Sequence, residues 1–221
     1  MPQHPGKDKR IDLISAQEAL ERLREGNRRF AAGIQKRCPK ETVDRLDEHV
    51  GGQNPFAIIL GCSDSRGPVE IIFDQGIGDL FVIRIAGNIA RPSQIGSIEY
   101  AVTSFNTPLV VVLGHSGCGA VTACIHDALG PERRISPNLS LIVDTIRPAI
   151  DPLLTSEVRN DPKELLRQAV RANVHAAADI LRHESEILKK RVKEKKLLII
   201  GAKYSLETGI VDFFDQEQFI P

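Results

Sequence analysis

The sequence lacks both an excess of charge and a long apolar run, and each absence excludes a class of partner. Its 221 residues include 29 lysines and arginines and 29 aspartates and glutamates, so no overall field draws the chain to nucleic acid or to an anionic membrane. No stretch approaches the roughly 18 consecutive apolar residues of a membrane-spanning helix. We therefore expect neither nucleic acid nor a membrane as a partner.

The start of the chain predicts no export signal. The first ten residues contain no apolar segment of the secretory type, so the expected location is the cytoplasm. Residues 1–12 are polar, include two prolines and are predicted to form a flexible tail.

Cysteine is scarce, and the four cysteines are Cys38, Cys62, Cys118 and Cys124. A chain of this length does not need disulfides for stability, and cytosolic cysteines near a histidine are more often metal ligands or catalytic groups. A disulfide between Cys62 and Cys118 remains the alternative. We interpret Cys38 as a loop thiol and Cys124 as a small apolar residue on a helix.

Short apolar runs closed by glycine alternate with helical patterns along the chain. The four runs cover residues 56–60, 80–86, 109–113 and 197–200. Runs of this kind are typical of buried parallel strands. Their alternation with helices predicts one α/β domain over residues 1–221, with a central, mainly parallel sheet flanked by helices. Residues 210–214 are predicted to form a short edge strand near the C-terminus.

A capping box, Ser15 with Glu18, predicts the start of an amphipathic helix that ends near Gly33. Residues 13–33 are therefore predicted to form an N-terminal helical arm. Further helices are predicted over residues 43–50, 68–73, 97–105, 119–129, 139–146 and 163–196.

Two thiols and an imidazole follow two of the predicted strands. Cys62 comes directly after Gly61, and His115 and Cys118 come after Gly114. Open α/β sheets bind ligands at this edge. The donor set suits zinc, and three such ligands leave the fourth position open, as in catalytic zinc sites.

We therefore predict one zinc ion per chain, bound by Cys62, His115 and Cys118. In the alternative interpretation the cysteines are small core residues and His115 is a hydrogen-bonded core histidine.

Asp64 and Arg66 lie two residues apart directly after Cys62. In a tight turn Arg66 can hold Asp64 with a forked, charge-assisted hydrogen bond, which keeps the carboxylate off the metal and leaves room for water. If the pair breaks, Asp64 can become the fourth ligand in a closed state, which low pH should favour. Taken singly, Asp64 also fits a helix N-cap and Arg66 a surface cation.

The two motifs together resemble the signature of the β-class carbonic anhydrases. They are Cys-Ser-Asp-Ser-Arg at residues 62–66 and His-Ser-Gly-Cys-Gly at residues 115–119. The resemblance covers most of the chain and is weakest over residues 130–162. It implies a zinc lyase that hydrates carbon dioxide reversibly to bicarbonate and a proton by zinc-bound hydroxide, with Asp64 and Arg66 as the catalytic dyad.

The resemblance also implies substrate-binding residues and an oligomer. Gln53 matches a glutamine that points at substrate, often across a dimer interface. Phe81, Ala86 and Tyr100 match positions that line the pocket for carbon dioxide, although Ala86 is smaller than the valine common there. Phe81 and Tyr100 fit core packing equally well. The family implies a homodimer or homotetramer wrapped by N-terminal helices.

The absence of tryptophan bears on regulation. One subset of the family binds inhibitory bicarbonate through a tryptophan three residues before the first cysteine, together with an arginine and a tyrosine. Ile59 stands at that position and the chain has no tryptophan. We therefore expect no such site, although Arg84 and Tyr204 could fill the other two roles. As a charged residue inside a predicted strand, Arg84 must find a partner or lie near an edge.

Two other functions fit the same residues. One is hydrolysis of carbon disulfide or carbonyl sulfide on the same fold, and the other is a non-catalytic scaffold stabilised by zinc. The intact Asp64 and Arg66 favour carbonic anhydrase activity over the first.

Overall fold

The computed structural model describes residues 14–36, 50–131 and 135–214. Three predictions fall outside these ranges: the tail over residues 1–12, the loop thiol Cys38 and all but the last residue of the helix over 43–50.

Strands and helices alternate along the described chain. Strands β1 to β5 are Ala57–Gly61, Leu80–Arg84, Leu109–His115, Leu198–Tyr204 and Val211–Phe214. Helices α1 to α7 are Ala16–Ala31, Val69–Ile72, Pro92–Phe105, Gly119–Leu129, Pro137–Leu154, Pro162–His183 and Glu186–Lys193. Two 3₁₀ turns cover Ala86–Asn88 and Glu157–Asn160. Within the described residues, every helix falls short of the length or the apolar content that a membrane crossing requires.

The strands form one sheet in the order β2-β1-β3-β4-β5. The first four are parallel, whereas β5 runs antiparallel to β4 at one edge. Helix α1 packs on one face of the sheet, and α3 and α6 pack on the other. Because both faces are covered, β1 and β3 are buried throughout, and their sequences are apolar except for His115 at the end of β3. The predicted fold class is confirmed.

Helix α1 begins where the sequence predicts it. The N–H of Glu18 donates to Oγ of Ser15 at 3.2 Å, and the N–H of Ser15 donates to the Glu18 carboxylate at 2.8 Å. The helix ends at Ala31, and Gly33 follows with a positive φ of 69°. This reciprocal capping satisfies two of the free N–H groups at the helix start.

Helix α1 is fastened to its own chain by a buried amide. Asn27 is 4% exposed, and its Nδ2 donates to the carbonyls of Ile72 and Gly209. Its Oδ1 accepts a hydrogen bond from the N–H of Val211 at 2.8 Å. The side chain therefore ties α1 to both α2 and the start of β5.

Two helices are longer than predicted. Helix α3 begins at Pro92 rather than Ser97, because the N–H that proline lacks has no helical partner in the first turn. Helix α5 continues past Ile146 through Pro148 and Pro152. Its buried stripe consists of Val143, Ile146, Ile150 and Leu154. Burial of this stripe outweighs the cost of about 3 kcal/mol for an interior proline.

The helix predicted over residues 163–196 is two helices, α6 and α7. Ser185 lies between them, where its hydroxyl accepts from the N–H of Leu188 at 3.2 Å and donates to Glu99 at 2.5 Å. Leu188 is fully buried and continues the apolar period across the break. The periodicity therefore does not reveal the break.

The strand ends also differ from the predictions. Strands β3 and β4 continue through the pair His115 and Tyr204, beyond the glycines that were expected to close them. Strand β2 ends at Arg84 instead of Ala86, since a 3₁₀ turn begins at Ala86.

Gly26 of α1 lies against the backbone at the end of α2. A Cβ added at Gly26 would lie 1.8 Å from the carbonyl oxygen of Phe73. Gly26→Ala should therefore destabilise the fold by about 1–3 kcal/mol through overpacking, although alanine is the better helix former. Denaturant unfolding measures this change.

The matched control is Gly96→Ala in α3, where an added Cβ would meet no atom within 4 Å. This substitution should stabilise the protein by about 0.5–1 kcal/mol. A raised unfolding midpoint for Gly26→Ala would contradict the close packing of α1 on α2.

Candidate metal centre

Cys62, His115 and Cys118 converge where β1 and β3 end. The two strands are neighbours, and Gly61 pairs with Leu113, so the residue after Gly61 emerges beside the end of β3. His115 is the last residue of β3, and Cys118 is the N-cap of α4. The donor atoms of the three side chains lie within 4.8 Å of one another. We refer to these three side chains as the donor group.

The imidazole of His115 is oriented by the backbone next to it. Its Nδ1 lies 2.9 Å from the carbonyl oxygen of Ser116. Because a carbonyl only accepts, this contact assigns the proton to Nδ1 and a lone pair to Nε2. Nε2 is buried and has no hydrogen-bond partner among the described residues. Leaving a buried polar atom in this state costs about 1–3 kcal/mol, whereas a metal ion would use the lone pair.

The two thiols ionise unequally. The hydrogen bond from Cys118 lowers the pKa of Cys62, against the effect of burial, and His115 and the N–H of Gly87 lower it further. The pKa of Cys118 is raised by its hydrogen bond to the Cys62 sulfur and by burial. The pocket alone therefore favours one thiolate, and a divalent cation would allow two. Two thiolates with an imidazole fit zinc.

A glycine turn supports the Cys62 sulfur. The N–H of Gly87 donates to Sγ of Cys62 at 3.4 Å, and its carbonyl accepts from Nδ2 of Asn173 at 2.7 Å. Gly87 has a φ of 73°, and a Cβ there would lie 2.8 Å from Ile146 and 3.2 Å from Ala120. Only glycine fits here without strain. Sequence reasoning missed Gly87 and Asn173 as supports.

Arg66 grips Asp64 by the predicted forked bond. Its Nε and Nη2 donate to the two carboxylate oxygens at 2.9 Å and 2.7 Å, and its backbone N–H donates at 3.0 Å. These bonds hold the pKa of Asp64 well below its usual range, and the nearby His115 adds to the effect. Oδ2 of Asp64 lies 3.8 Å from Nε2 of His115. An ionised carboxylate therefore borders the donor group.

Arg84 supports the same turn from the edge strand β2. Its Nε donates to the carbonyl of Cys62 at 3.0 Å, and its Nη2 donates to the carbonyl of Asp64 at 2.5 Å. Arg84 therefore has hydrogen-bond partners and also lies on an edge strand, in agreement with the prediction for a charged residue inside a strand. Its role beside the donor group was not predicted, because two backbone carbonyls leave no mark in the sequence.

The predicted pocket residues are not all brought to the donor group. Ala86 precedes Gly87 and so lies beside Cys62. Phe81 packs on Tyr100 at a ring-centroid distance of 6.2 Å. It lies three residues before the end of β2, about 10 Å along the strand.

Gln53 lies at the other end of the sheet. It precedes β1 whereas Cys62 follows it, and this strand of five residues spans about 16 Å. One chain therefore joins the donor group, Asp64, Arg66 and Ala86, without Gln53 or the pair Phe81 and Tyr100.

Comparison with known sequences identifies relatives over most of the chain. A family model described as carbonic anhydrase matches residues 57–211. Carbonic anhydrase 2 of Mycobacterium tuberculosis (strain H37Rv) is 40% identical over 194 residues, which cover 86% of this chain and 89% of that protein. The carbonic anhydrase of Synechococcus elongatus is 31% identical over 177 residues, covering 76% of this chain and 63% of that protein.

Comparison with solved structures finds the same fold. A β-carbonic anhydrase of Sordaria macrospora, described as tetrameric, superposes with a TM-score of 0.71 at 25% identity, covering 86% of this chain and 93% of that chain. The β-carbonic anhydrase CafA of Aspergillus fumigatus also gives a TM-score of 0.71 at 25% identity, covering 88% of this chain and 89% of that chain.

Removing the Arg84 side chain should weaken metal binding. Arg84→Met deletes both donors to the turn that carries Cys62, so we expect zinc affinity to fall about 10-fold, as measured by competition with a chromophoric chelator. The control is Arg191→Met, whose side chain binds Asn106 near the opposite end of the sheet. Equal affinities for the two variants would show that Arg84 does not support the site.

Proposed function

The chain belongs to the carbonic anhydrase family, and we propose that its donor group and the adjoining pair of Asp64 and Arg66 form the active site. The enzyme is a lyase that hydrates carbon dioxide reversibly to bicarbonate and a proton. The observation that carries the proposal is the convergence of three soft donors beside an ionised carboxylate.

We propose that Cys62, His115 and Cys118 bind one zinc ion per chain. Bound zinc would lower the pKa of a water molecule, so that its deprotonated form can attack carbon dioxide. The two sulfurs and Nε2 of His115 would bind the ion. The carbonyl of Ser116, which holds Nδ1, would keep the imidazole in the ligating tautomer.

Asp64 would act on the attacking water. Arg66 keeps the carboxylate ionised and fixed, so Oδ2 can accept a hydrogen bond from the attacking group and orient its lone pair toward carbon dioxide. The two side-chain hydrogen bonds from Arg66 also restrain Asp64 from joining the donor group as a fourth ligand. We propose that the paired arrangement is the active, open one and that a closed site requires Asp64 to leave Arg66.

The alternative activities lack comparable support. Hydrolysis of carbon disulfide or carbonyl sulfide is not favoured by the relatives, which are named carbonic anhydrases. A silent scaffold would not need the fork between Asp64 and Arg66. Stopped-flow hydration of carbon dioxide with a pH indicator distinguishes carbonic anhydrase activity from both alternatives, since only this activity accelerates acidification.

We propose a homodimer, alone or within a homotetramer, as the catalytic unit. Gln53 is separated from Cys62 of its own chain by the length of β1, so it would serve the site of the partner. Phe81 and Tyr100 would line the substrate pocket at that boundary, where Tyr100 is 46% exposed. Residues 1–221 would form one domain, with residues 13–33 as its N-terminal helical arm.

We also propose that the enzyme works in the cytoplasm. The two thiolate ligands of the proposed zinc site would be preserved in a reducing compartment.

Substitution of Asp64 tests its proposed role. Asp64→Ala should lower kcat about 10²-fold because the attacking group loses its orientation, while zinc content stays unchanged because Asp64 is not one of the three donors. The matched control is Asp212→Ala, which removes an exposed carboxylate on β5. A zinc-loaded Asp64→Ala enzyme with the full rate would contradict the role.

Mixed oligomers test the proposed position of Gln53. Gln53→Ala alone should lower kcat/KM by about 10²-fold if it donates to the reacting oxygen. In a mixed dimer of Gln53→Ala and Asp64→Ala subunits, one site receives both substitutions and the other receives neither. Mixing the two inactive variants should therefore restore activity.

The control for this experiment mixes Asp64→Ala with Arg66→Met. Both residues belong to the site of their own chain, so every site stays defective and no activity returns. Failure of Gln53→Ala and Asp64→Ala subunits to complement, in mixed dimers that demonstrably form, would place Gln53 outside the partner's site.

A further inference from the structure

The carboxylate of Glu207, on the turn between β4 and β5, binds the residue that directly follows β3. Oε2 of Glu207 accepts hydrogen bonds from the hydroxyls of Ser116 at 2.8 Å and Ser205 at 2.9 Å. Ser116 lies 91 residues earlier in the sequence and directly follows His115. The contact therefore joins an exposed acidic residue to the immediate neighbour of a proposed metal ligand.

Every polar group of Ser116 is engaged. Its N–H donates to the carbonyl of Tyr204 at 2.9 Å, and its hydroxyl accepts from the N–H of Leu206 at 2.9 Å while donating to Glu207. Its carbonyl is the acceptor for Nδ1 of His115. The position of that carbonyl, and with it the imidazole, depends on how firmly Ser116 is held.

The turn does not need the Glu207 bond to Ser116 for its own closure. The N–H of Gly209 donates to the carbonyl of Ser205 at 2.9 Å, and the N–H of Thr208 donates to the Ser205 hydroxyl at 3.2 Å. These bonds close the turn locally. The bond from Ser116 to Glu207 is additional, and it connects the turn to the residue next to His115.

We propose that Glu207 is a positioning residue that acts through Ser116 to hold His115 in the orientation and tautomer required for metal binding. The inference rests on the proposed zinc site. The carboxylate makes a charge-assisted bond to the Ser116 hydroxyl, which is stronger than a neutral one. A fixed Ser116 carbonyl keeps the proton on Nδ1 and the lone pair on Nε2. Partners of a ligating histidine's other nitrogen typically raise its metal affinity.

Zinc affinity of the full-length protein tests the proposal through competition with a chromophoric chelator at fixed pH. Glu207→Ala removes the acceptor and should weaken zinc binding about 10-fold. Glu207→Gln keeps a side-chain carbonyl that can accept from Ser116, so it should recover most of the affinity. Ser205→Ala is the matched control, because it loosens the same turn but leaves the bond between Ser116 and Glu207.

Nitrogen NMR of the zinc-loaded protein distinguishes a positioning role from a purely structural one, which would leave the His115 resonance unchanged. The Nδ1–H resonance of His115 should shift or exchange faster in Glu207→Ala but not in Ser205→Ala. Wild-type zinc affinity in Glu207→Ala, an equal loss in Ser205→Ala, or no recovery with Glu207→Gln would overturn the proposal.

The same measurements separate this inference from the proposed function. A wild-type protein that binds no zinc would overturn both. A wild-type protein that binds zinc and hydrates carbon dioxide, with a Glu207→Ala variant indistinguishable from it, would overturn the positioning role alone.

Discussion

Two thiols and an imidazole held within 4.8 Å of one another are a chemically incomplete arrangement, and the rest of the site depends on it. The Cys62 sulfur raises the pKa of the Cys118 thiol, and the buried Nε2 of His115 has no hydrogen-bond partner within the described chain. A divalent cation would stabilise the second thiolate and bind the lone pair of Nε2. The convergence itself follows from the parallel pairing of β1 with β3, which brings two strand ends side by side at the ligand-binding edge of the sheet.

The groups that surround this arrangement act mainly through the backbone. Arg84 holds the carbonyls of Cys62 and Asp64, Gly87 donates its N–H to a sulfur, and Ser116 offers its carbonyl to the imidazole. Backbone groups on packed strands and tight turns lose little entropy when they bind, so they fix a ligand more firmly than flexible side chains would. Asp64 and Arg66 then add one oriented carboxylate beside these backbone groups.

Much of the fold follows from local sequence, because buried parallel strands are continuous apolar runs and the Ser15 capping box marks its helix directly. The donor residues and the fork between Asp64 and Arg66 also follow from short motifs.

Local patterns fail where distant packing decides the outcome. Burial of an apolar stripe carries α5 through Pro148, and Leu188 hides the break between α6 and α7. The bonds from Asn173 to Gly87 and from Ser116 to Glu207 join residues 86 and 91 positions apart, which no local pattern encodes.

The central claim is that Cys62, His115 and Cys118 together bind a catalytic zinc ion. Its most direct test is the zinc content of protein purified under reducing conditions, beside a His115→Ala variant prepared in parallel. The account predicts stoichiometric zinc in the wild type and a clear loss in the variant. Wild-type protein without stoichiometric metal, or with Cys62 and Cys118 joined as a disulfide in the cell, would contradict it.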